Sequence, residues 1–462
     1  MEKRRRSQSS VGATVSEYVH SKLSKTSTSS EVMSATHIAD LPDALLAEII
    51  SRLPSSRFVF QCKCVSKRWH TLISESYFIG RFLGLQIDKQ TPIIRTLISV
   101  EGEDLLSRLT PSPSSSSSKV LTPMFERLKS FHGLKEGPFV AGTYNDLVLC
   151  RDHKYFARSY YICNPHTLSW VALPPAPTRS NKIAHVGFVC DMPYYNYEEG
   201  DTEGRHVVRL NAQYRCKVVR ILPPSDEELT SDKFLIEVFS SETGEWRESL
   251  ISCPRKLHHV MFDRFGFACN RRLYWSNYVK GRLLVLGLDL FNDDNITVTS
   301  KDGGVDGECR FIVFDKPMDE HSIQCLGDQC GGLLHMYELD IVGRSLYVWE
   351  LKEEDNQEDG KLCLSEHRVC SLDPEMYHDD AYPLTLASVD PNNKDVWYLR
   401  VNQDIVMCNI HTREWSTIAE NSAIVTSIYF FPYVLPWWPT PVPRLPQQRA
   451  NQLARGEELA AS

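Results

Sequence analysis

The sequence predicts a mainly β protein, in which a small three-helix module near the N-terminus precedes a β-propeller of about six blades, within a range of five to eight. Three observations support this prediction. An apolar stripe of helical period lies between Pro42 and Pro54. From about Ile87 onward, short runs rich in Val, Ile, Tyr, Phe and Trp alternate with Gly, Asn, Asp, Ser and Pro. Within that region a strand–turn–Trp pattern recurs three times.

Composition limits the class of protein. The chain of 462 residues is long enough for two or three domains. Its net charge of −8 argues against a nucleic-acid binder that relies on neutralising phosphates. No apolar run could span a bilayer, and none follows the basic run at residues 3–6 as a secretory signal requires. The 14 cysteines contain no C-x-x-C pair, so reduced thiols and a location in the nucleus and/or cytoplasm are expected.

The N-terminal module lies between Ala35 and Ser74. Pro42 suits the first turn of a helix because its missing N–H costs nothing there, and Asp43 places negative charge at the same end. The apolar stripe of this helix consists of Leu45, Leu46, Ile49, Ile50 and Leu53. Ser55 or Ser56 starts a second helix, and Ser66 caps a third that carries Trp69. Three short helices cannot bury all their apolar faces, so the module is expected to dock on a partner.

Three pieces of this module carry a family resemblance: Leu41-Pro42, the helix end from Ile49 to Pro54, and the run from Val65 to Trp69. In order and spacing they resemble an F-box. F-boxes bind a Skp-type adaptor, which links them to a cullin and a RING protein in a ubiquitin ligase. The resemblance implies that six residues form or support the adaptor-facing surface: Leu41, Pro42, Leu45, Ile49, Val65 and Trp69.

The remainder of the chain consists of many short predicted strands. Ten runs have strand composition: 146–150, 160–163, 234–239, 272–275, 282–286, 310–314, 332–337, 345–351, 395–401 and 404–408. Many strands with few helices indicate an all-β sandwich, barrel or propeller.

A repeated hairpin favours the propeller. In each of three copies a strand is followed by a polar turn and Thr-x-x-Trp, ending at Trp170, Trp246 and Trp415. These tryptophans lie 76 and 169 residues apart. Blades span roughly 40–50 residues, so the gaps fit one enlarged blade and then three or four blades. Because Trp buries a large area, it is expected to begin the strand after the turn and to fill space between blades.

With the F-box, the motif from Asn164-Pro165-x-Thr167 to Trp170-x-x-Leu173-Pro174 resembles a large plant family of F-box proteins with an F-box-associated, kelch-like β-propeller. The Gly-Gly pair of kelch repeats is clear only at Gly331-Gly332, so the blade count stays open. The expected division is a disordered Ser/Thr-rich N-terminus at 1–35, the F-box at 36–80, the propeller at 81–435, and a Pro/Trp-rich strap with a disordered tail at 436–462.

Both termini allow two interpretations. The basic run Lys3-Arg4-Arg5-Arg6 fits a nuclear address or, as we prefer, a solvated tail. The run from Pro436 to Pro446 predicts polyproline II. This segment is either a ligand for a Pro-binding module or a strap that holds the tail on the domain through Trp437 and Trp438. We favour the strap because exposed paired tryptophans are costly.

No built-in catalytic or metal site and no cofactor is predicted. A zinc RING needs C-x-x-C pairs. Cys62-Lys63-Cys64 has the wrong spacing, and Cys325 with Cys330 lacks a second pair. Residues 355–366 nearly match a calcium loop, but Gln357 departs from it and the flanks predict strands, so an acidic hairpin loop is expected. His258-His259 followed by Asp263 has no third ligand at metal spacing.

The sequence therefore predicts a non-catalytic substrate receptor of an SCF-type cullin–RING ubiquitin ligase. The F-box would bind the Skp-type adaptor, and the propeller would bind a protein substrate that loop sequences do not identify. Ubiquitin transfer would then follow from proximity. Two alternatives stay open: a kelch-type propeller enzyme or small-ligand or glycan binder with a helical appendage, and a scaffold that binds the adaptor without degradation. Neither nucleic acid nor a membrane is expected as a partner.

Overall fold

A computed structural model divides the chain into two compact units, Met1–Ser74 and Glu75–Ser462, which we describe separately. The structure describes residues 38–87, 94–102, 121–178, 183–198, 207–222, 230–258, 263–291, 310–317, 322–329, 333–340, 345–352, 359–371, 385–401, 404–419 and 429–446.

The first unit contains the three predicted helices. A 3-10 turn at Ile38–Asp40 precedes α1 (Asp43–Ser51), α2 (Ser56–Lys63) and α3 (Lys67–Ser74). Pro42 directly precedes α1, and its carbonyl accepts the N–H of Leu46 at 3.0 Å. Ser66 caps α3, because its Oγ accepts the backbone N–H of Trp69 at 3.2 Å.

The second unit has two helices among its described residues, α4 (Ser76–Ile87) and α5 (Thr122–His132). The sequence analysis did not predict α5, although its boundaries carry clear signals. Pro123 lies in its first turn, and Gly133 ends it with a left-handed φ of 64°. Met124 and Leu128, one turn apart, are fully buried in the core of the neighbouring blade.

The second unit contains three four-stranded antiparallel sheets and one eight-stranded sheet made of two four-stranded antiparallel halves. Counted separately, these halves bring the number of four-stranded blades to five, each built from strands consecutive in the chain apart from one inserted hairpin. Strand β1 (Ile94–Ser99) precedes them. Blade 1 comprises β2 (Phe139–Tyr144), β3 (Leu147–Arg151), β4 (Tyr160–Asn164) and β5 (Ser169–Ala172). Blade 2 comprises β6 (His185–Cys190), β9 (Cys216–Leu222), β10 (Thr230–Ser240) and β11 (Glu245–His258), with an inserted hairpin of β7 (Tyr195–Glu198) and β8 (Val207–Leu210).

Blade 3 comprises β12 (Phe267–Cys269), β13 (Arg272–Val279), β14 (Arg282–Asp289) and β15 (Arg310–Pro317). Blade 4 comprises β16 (Ser322–Gln329), β17 (Leu333–Asp340), β18 (Ser345–Lys352) and β19 (Asp359–Ser371), and β15 pairs in parallel with β19. Blade 5 comprises β20 (Thr385–Val389), β21 (Val396–Val401), β22 (Asp404–Asn409) and β23 (Glu414–Ala419), and β24 (Phe430–Leu435) follows it.

The mainly β propeller is thus confirmed, with about five blades in the described residues. That number lies within the predicted range of five to eight and below the expected six. All ten predicted runs overlap strands. Trp170 and Trp246 belong to neighbouring blades, the second enlarged by the inserted hairpin, and Trp415 lies three blades further on. The spacing of the tryptophans therefore identified the enlarged blade correctly.

A two-stranded ribbon joins the two ends of the propeller chain. β1 pairs antiparallel with β24 along its whole length. Ile98 and Tyr433 of this ribbon pack into the core of blade 1, whereas Leu97 and Phe430 pack with Tyr398 of blade 5. The ribbon therefore lies between the first and last blades and closes the ring.

The repeated turn has a clear physical basis. The Oδ1 of Asn164 accepts the backbone N–H groups two and three residues on, at 2.9 and 3.2 Å, and that of Asn409 does the same at 3.0 Å in both bonds. The position after each Thr has a positive φ: 52° at Leu168, 74° at Gly244 and 61° at Arg413.

Trp246 shows the packing role of the Trp that recurs after the repeated turn. It is the second residue of the outermost strand of blade 2, opposite Phe239. Its ring lies 6.0 Å from that of Tyr160 in blade 1, and its Nε1–H donates to the carbonyl of Pro174 at 2.8 Å. The predicted role of this Trp in filling space between blades is confirmed.

Trp275 packs against two glycines where blades 2 and 3 meet. It is fully buried, and a Cβ on Gly187 or Gly266 would lie within 2.8 Å of its ring. Both positions therefore require glycine, because a side chain there would clash with the Trp275 ring, and a buried indole has no free space to move into.

Gly266→Ala should lower the free energy of unfolding by about 1–3 kcal/mol, because the added methyl overpacks this junction. Urea denaturation of the purified chain measures the effect. Gly80→Ala in α4 is the control, since no atom lies within 4 Å of its added Cβ. The control should stabilise the protein by up to about 1 kcal/mol through helix propensity. Equal stability of the two variants would contradict the packing argument.

Candidate functional site

The first helix of the N-terminal unit has an exposed apolar face. Leu45 and Ile49, four residues apart on α1, share one side of the helix and are 53% and 49% exposed. Leu46 and Ile50 on the adjacent side are buried. The stripe read from the sequence thus divides into a buried half and a half that faces solvent.

The other predicted adaptor residues flank α1 and α3. Val65, just before α3, is 63% exposed. Trp69 and Leu41 are half-buried, and Pro42 is exposed at the start of α1. Contact of these residues with an adaptor stays a prediction, but their exposure leaves them accessible to one.

Arg68 brings two of the predicted segments together. Its Nε donates to the Asp43 carboxylate at 2.8 Å, and its Nη2 donates to the backbone carbonyl of Leu41. The guanidinium of α3 therefore fixes the Leu41-Pro42 turn at the N-terminus of α1. From the sequence, Asp43 is assigned only to the helix dipole. Local patterns do not predict its pairing with Arg68, because the two residues lie 25 positions apart.

Two further apolar side chains of the unit are exposed, Ile38 at 45% and Phe58 at 39%. A helix is predicted where Phe58 lies, but neither Phe58 nor Ile38 is among the residues predicted at the surface. Both lie in short elements, whose residues have few neighbours to cover them. Their exposure enlarges the apolar area available to a partner.

Two of the cysteines considered as catalytic or metal-binding groups, Cys62 and Cys325, lie in environments that disfavour thiolates. Burial raises the pKa of the Cys62 thiol, and it raises that of Cys325 to about 12. Across the part of the chain that the structure describes, no group of three or more His, Cys, Asp or Glu side chains is placed to hold a metal ion.

The two other metal candidates are also explained locally. The Asp263 carboxylate accepts hydrogen bonds from the backbone N–H, at 3.0 Å, and the hydroxyl of Ser276, while His259 lies outside the described residues. Of the calcium-like segment, residues 359–366 belong to β19, which pairs with β18, and 355–358 lie outside the described residues. The flanks are strands, as predicted, rather than the helices of a calcium-binding loop.

A buried polar network fixes the C-terminal segment to blade 1. The Asp146 carboxylate accepts the N–H of Thr440 at 2.8 Å, the Thr440 hydroxyl, and the side-chain amide of Asn164 at 2.7 Å. That amide also donates to the Thr440 carbonyl at 2.6 Å. Burial raises the pKa of Asp146, and its hydrogen bonds with Thr440 and Asn164 oppose the shift. Asn164 therefore stabilises the turn through its Oδ1 and binds the C-terminal segment through its Nδ2.

Trp438 lies in the interior of the second unit and is 3% exposed. Its ring packs 5.7 Å from Phe82 and 6.2 Å from Phe78, both on α4. The C-terminal segment therefore holds α4 against the end of the propeller that carries the turns after the first and third strands of each blade. We call this the lower end, and the opposite end, with the loops after the second and fourth strands, the upper end.

The described part of the propeller contains two notable cavities. A wide one of about 1040 Å³ opens at the lower end among Met192, Tyr194, Tyr214 and Arg444. A second, of about 180 Å³, lies in the central channel. One carboxylate lining this channel, Asp390, accepts the Tyr398 hydroxyl at 2.6 Å and two backbone N–H groups.

Within the described residues, no helix has both the length and the apolar character needed to cross a membrane.

Comparison with known proteins assigns both units. Residues 38–79 match the F-box domain model. Residues 119–427 match the β-propeller model described as F-box protein At3g26010-like. These matches cover the helices with the exposed Leu45 and Ile49 and all five blades.

Several F-box proteins are similar to this chain in sequence. Putative F-box/kelch-repeat protein At1g15680 of Arabidopsis thaliana is 24% identical over 68% of this chain and 69% of its own. F-box protein At3g26010 of the same plant is 23% identical over 71% of this chain and 83% of its own. F-box only protein 8, also of this plant, is 37% identical over 48% of this chain and 66% of its own. The chain therefore belongs to the F-box proteins that carry an At3g26010-like β-propeller.

Proposed function

We propose that the protein is the substrate receptor of an SCF-type cullin–RING ubiquitin ligase. The F-box would bind a Skp-type adaptor, and through it a cullin and a RING protein. The propeller would bind a protein substrate. Membership of an F-box family supports the receptor role, and the family is typically non-catalytic. We extend the proposal to a location in the nucleus and/or cytoplasm, where such complexes meet their substrates.

The observation that carries the adaptor assignment is the exposure of Leu45 and Ile49 on one face of α1. Two adjacent aliphatic side chains about half exposed on an otherwise folded helix are typical of a protein interface. Leu45 and Ile49 also belong to the six residues that the F-box resemblance predicts at the adaptor-facing surface. The resemblance and the exposure therefore support the same face of α1.

Such a receptor acts by proximity. Holding the substrate beside the charged carrier enzyme raises the effective concentration of its lysines without any new catalytic group. This mechanism fits a chain in which the candidate cysteines Cys62 and Cys325 have raised pKa values.

The double variant Leu45→Asp/Ile49→Asp should lose stable binding to a Skp-type adaptor, because two carboxylates would have to be desolvated at the interface. Co-purification of the full-length chain with the adaptor measures this, and Trp69→Ala provides a second variant. Phe131→Ala is the control, because Phe131 is 74% exposed on α5, outside the F-box.

Adaptor binding that survives in the double variant would overturn the assignment of this face. Adaptor binding lost equally in Phe131→Ala would show that the assay reports general damage rather than the F-box. If the adaptor binds but reduced expression of this protein leaves its bound partners at unchanged levels, the scaffold interpretation would replace the receptor.

The propeller-enzyme alternative has less support. A propeller enzyme is expected to hold its ligand in the central channel, whose cavity of about 180 Å³ is smaller than the roughly 300–1,000 Å³ of common small-ligand pockets. The cavity of about 1040 Å³ at the lower end lies outside this channel. The polar groups described in the channel bond to one another, as Asp390 does with Tyr398. We therefore rank the receptor first.

A further inference from the structure

The upper end of the propeller carries an exposed aromatic pair on the loop between β3 and β4. Tyr155 is 41% exposed and Phe156 is 50% exposed. Their rings lie 6.3 Å apart. Exposed aromatic residues side by side on a loop are costly to leave in water and are typical of binding hot spots.

The loop is held in one conformation by its own histidine. The Nδ1 of His153 accepts the backbone N–H groups of Tyr155 and Phe156, at 3.1 and 3.2 Å. The Nε2 of the same ring lies 3.5 Å from the Glu136 carboxylate. Because this tautomer fixes the turn, the aromatic pair is preorganised, and a partner loses little entropy in ordering it.

One guanidinium group, that of Arg264, packs on the pair, and a second, that of Arg151, lies close to it on the ring of Phe265. The Cζ of Arg264 lies 4.8 Å from the centroid of the Tyr155 ring. The Cζ of Arg151 lies 4.9 Å from the centroid of the Phe265 ring, next in sequence to Arg264. We call Tyr155, Phe156, Arg264 and Arg151 the upper aromatic patch.

The arginine side chains in and beside the upper aromatic patch are only partly neutralised by carboxylates. Arg151, Arg158 and Arg264 make no ion pair with any residue that the structure describes, and Arg158 bonds only to the carbonyl of Ala176. Arg151 is 1% exposed, and its Nε and Nη2 have no hydrogen-bond partner. A charge left without a partner at low dielectric projects its field to the surface above it.

The nearby carboxylates do not balance this charge. Glu101 pairs with Lys154 at 3.1 Å, and Glu136 faces His153. Asp263 is buried against Ser276, and this burial raises its pKa. Among the described residues near the patch, Asp152 is the remaining carboxylate, and it forms no ion pair with Arg151 or Arg264, although it and Glu101 attract the Arg151 guanidinium. The patch therefore combines exposed aromatic rings with an excess of positive charge.

We propose that the upper aromatic patch is the substrate-docking site of the propeller and that it binds an acidic segment of a protein. Tyr155 and Phe156 cover an apolar side chain of that segment, and Arg264 receives its carboxylates, with Arg151 adding its field from below. This inference rests on the proposed receptor function. It names the chemistry of the substrate and the residues that recognise it.

Selection of short random displayed peptides on the full-length protein tests the proposal. Selected peptides should be enriched in Asp and Glu beside an apolar residue. Binding of a synthetic selected peptide, followed by fluorescence anisotropy, should weaken by about tenfold or more in Tyr155→Ala/Phe156→Ala and in Arg264→Glu. Affinity should also fall as salt is raised. Phe131→Ala, which removes an exposed aromatic ring on α5, outside the patch, should bind as the wild type does.

Selected peptides without acidic residues, or peptides that bind the patch variants as tightly as the wild type, would overturn the proposal. A single-stranded oligonucleotide that binds more tightly than the peptides and responds to the same variants would assign the patch to nucleic acid instead. Adaptor co-purification on the same variants separates the two proposals. The patch variants should keep the adaptor, and Leu45→Asp/Ile49→Asp should keep the peptide.

Discussion

Glu237→Ala should lower the free energy of unfolding by about 3–5 kcal/mol, because it leaves a buried guanidinium without its partner. Glu237 and Arg220 form an ion pair on neighbouring strands of blade 2, with side chains 0% and 3% exposed. Glu237 also accepts the N–H of Thr178 at 2.7 Å, and the Nε of Arg220 already lacks a partner. Urea denaturation provides the measurement.

Glu248→Ala is the matched control for this variant. Glu248 lies on the next strand and accepts the hydroxyl of the same Thr178, at 3.4 Å, but it is exposed. Its removal should change stability by no more than about 0.5 kcal/mol. The double replacement Arg220→Met/Glu237→Leu should recover most of the loss, because neither charge is then left buried. A Glu237→Ala variant as stable as the control would contradict this account.

Trp438→Ala should cost about 3–5 kcal/mol, as large-to-small changes of buried aromatic residues do. The cavity would open between the C-terminal segment and Phe78 and Phe82 of α4. Thermal denaturation should show the loss, and limited proteolysis should show faster cleavage of the segment that follows β24. The detached segment would also weaken the Asp146–Thr440 network.

Trp437→Ala is the control for the strap, because this neighbouring indole is half-buried. It should cost clearly less than Trp438→Ala. The same loss in both variants would mean that the segment contributes through general apolar cover. No loss in either would mean that the tail contributes nothing to the stability of the propeller.

Local signals in the sequence predicted much of this fold. Pro42 and Ser66 mark helix starts by chemistry confined to one turn, and Trp246 follows a turn whose residues are adjacent in the chain. The helix α5 was missed although Pro123 and Gly133 delimit it, since the surrounding strands dominated the pattern. The strand-like composition of the flanking sequence outweighed the two helix-boundary residues.

Other features depend on pairing between distant residues, which composition and periodicity do not encode. The ribbon of β1 and β24 was missed for this reason, and so was the bond between Arg68 and Asp43. The count of about six blades depended on recognising repeats in blades 3 and 4, where the Thr-x-x-Trp turn is absent. In the candidate site, helical spacing predicts that Leu45 and Ile49 share one face. Only the structure distinguishes these two exposed residues from the buried Leu46 and Ile50.

The ribbon also sets the order in which the protein can mature on the ribosome. Arg95 exchanges backbone-to-amide hydrogen bonds with Asn392, 297 positions later, and β1 pairs with the still later β24. While the first blades leave the exit tunnel, the strand that must accept β1 has not been synthesised. The open ring then exposes the edge of β1 and the apolar side chains Leu97 and Ile98. Closure therefore waits until β24 has been synthesised, and a nascent chain that stops before residue 430 leaves this edge open to chaperones.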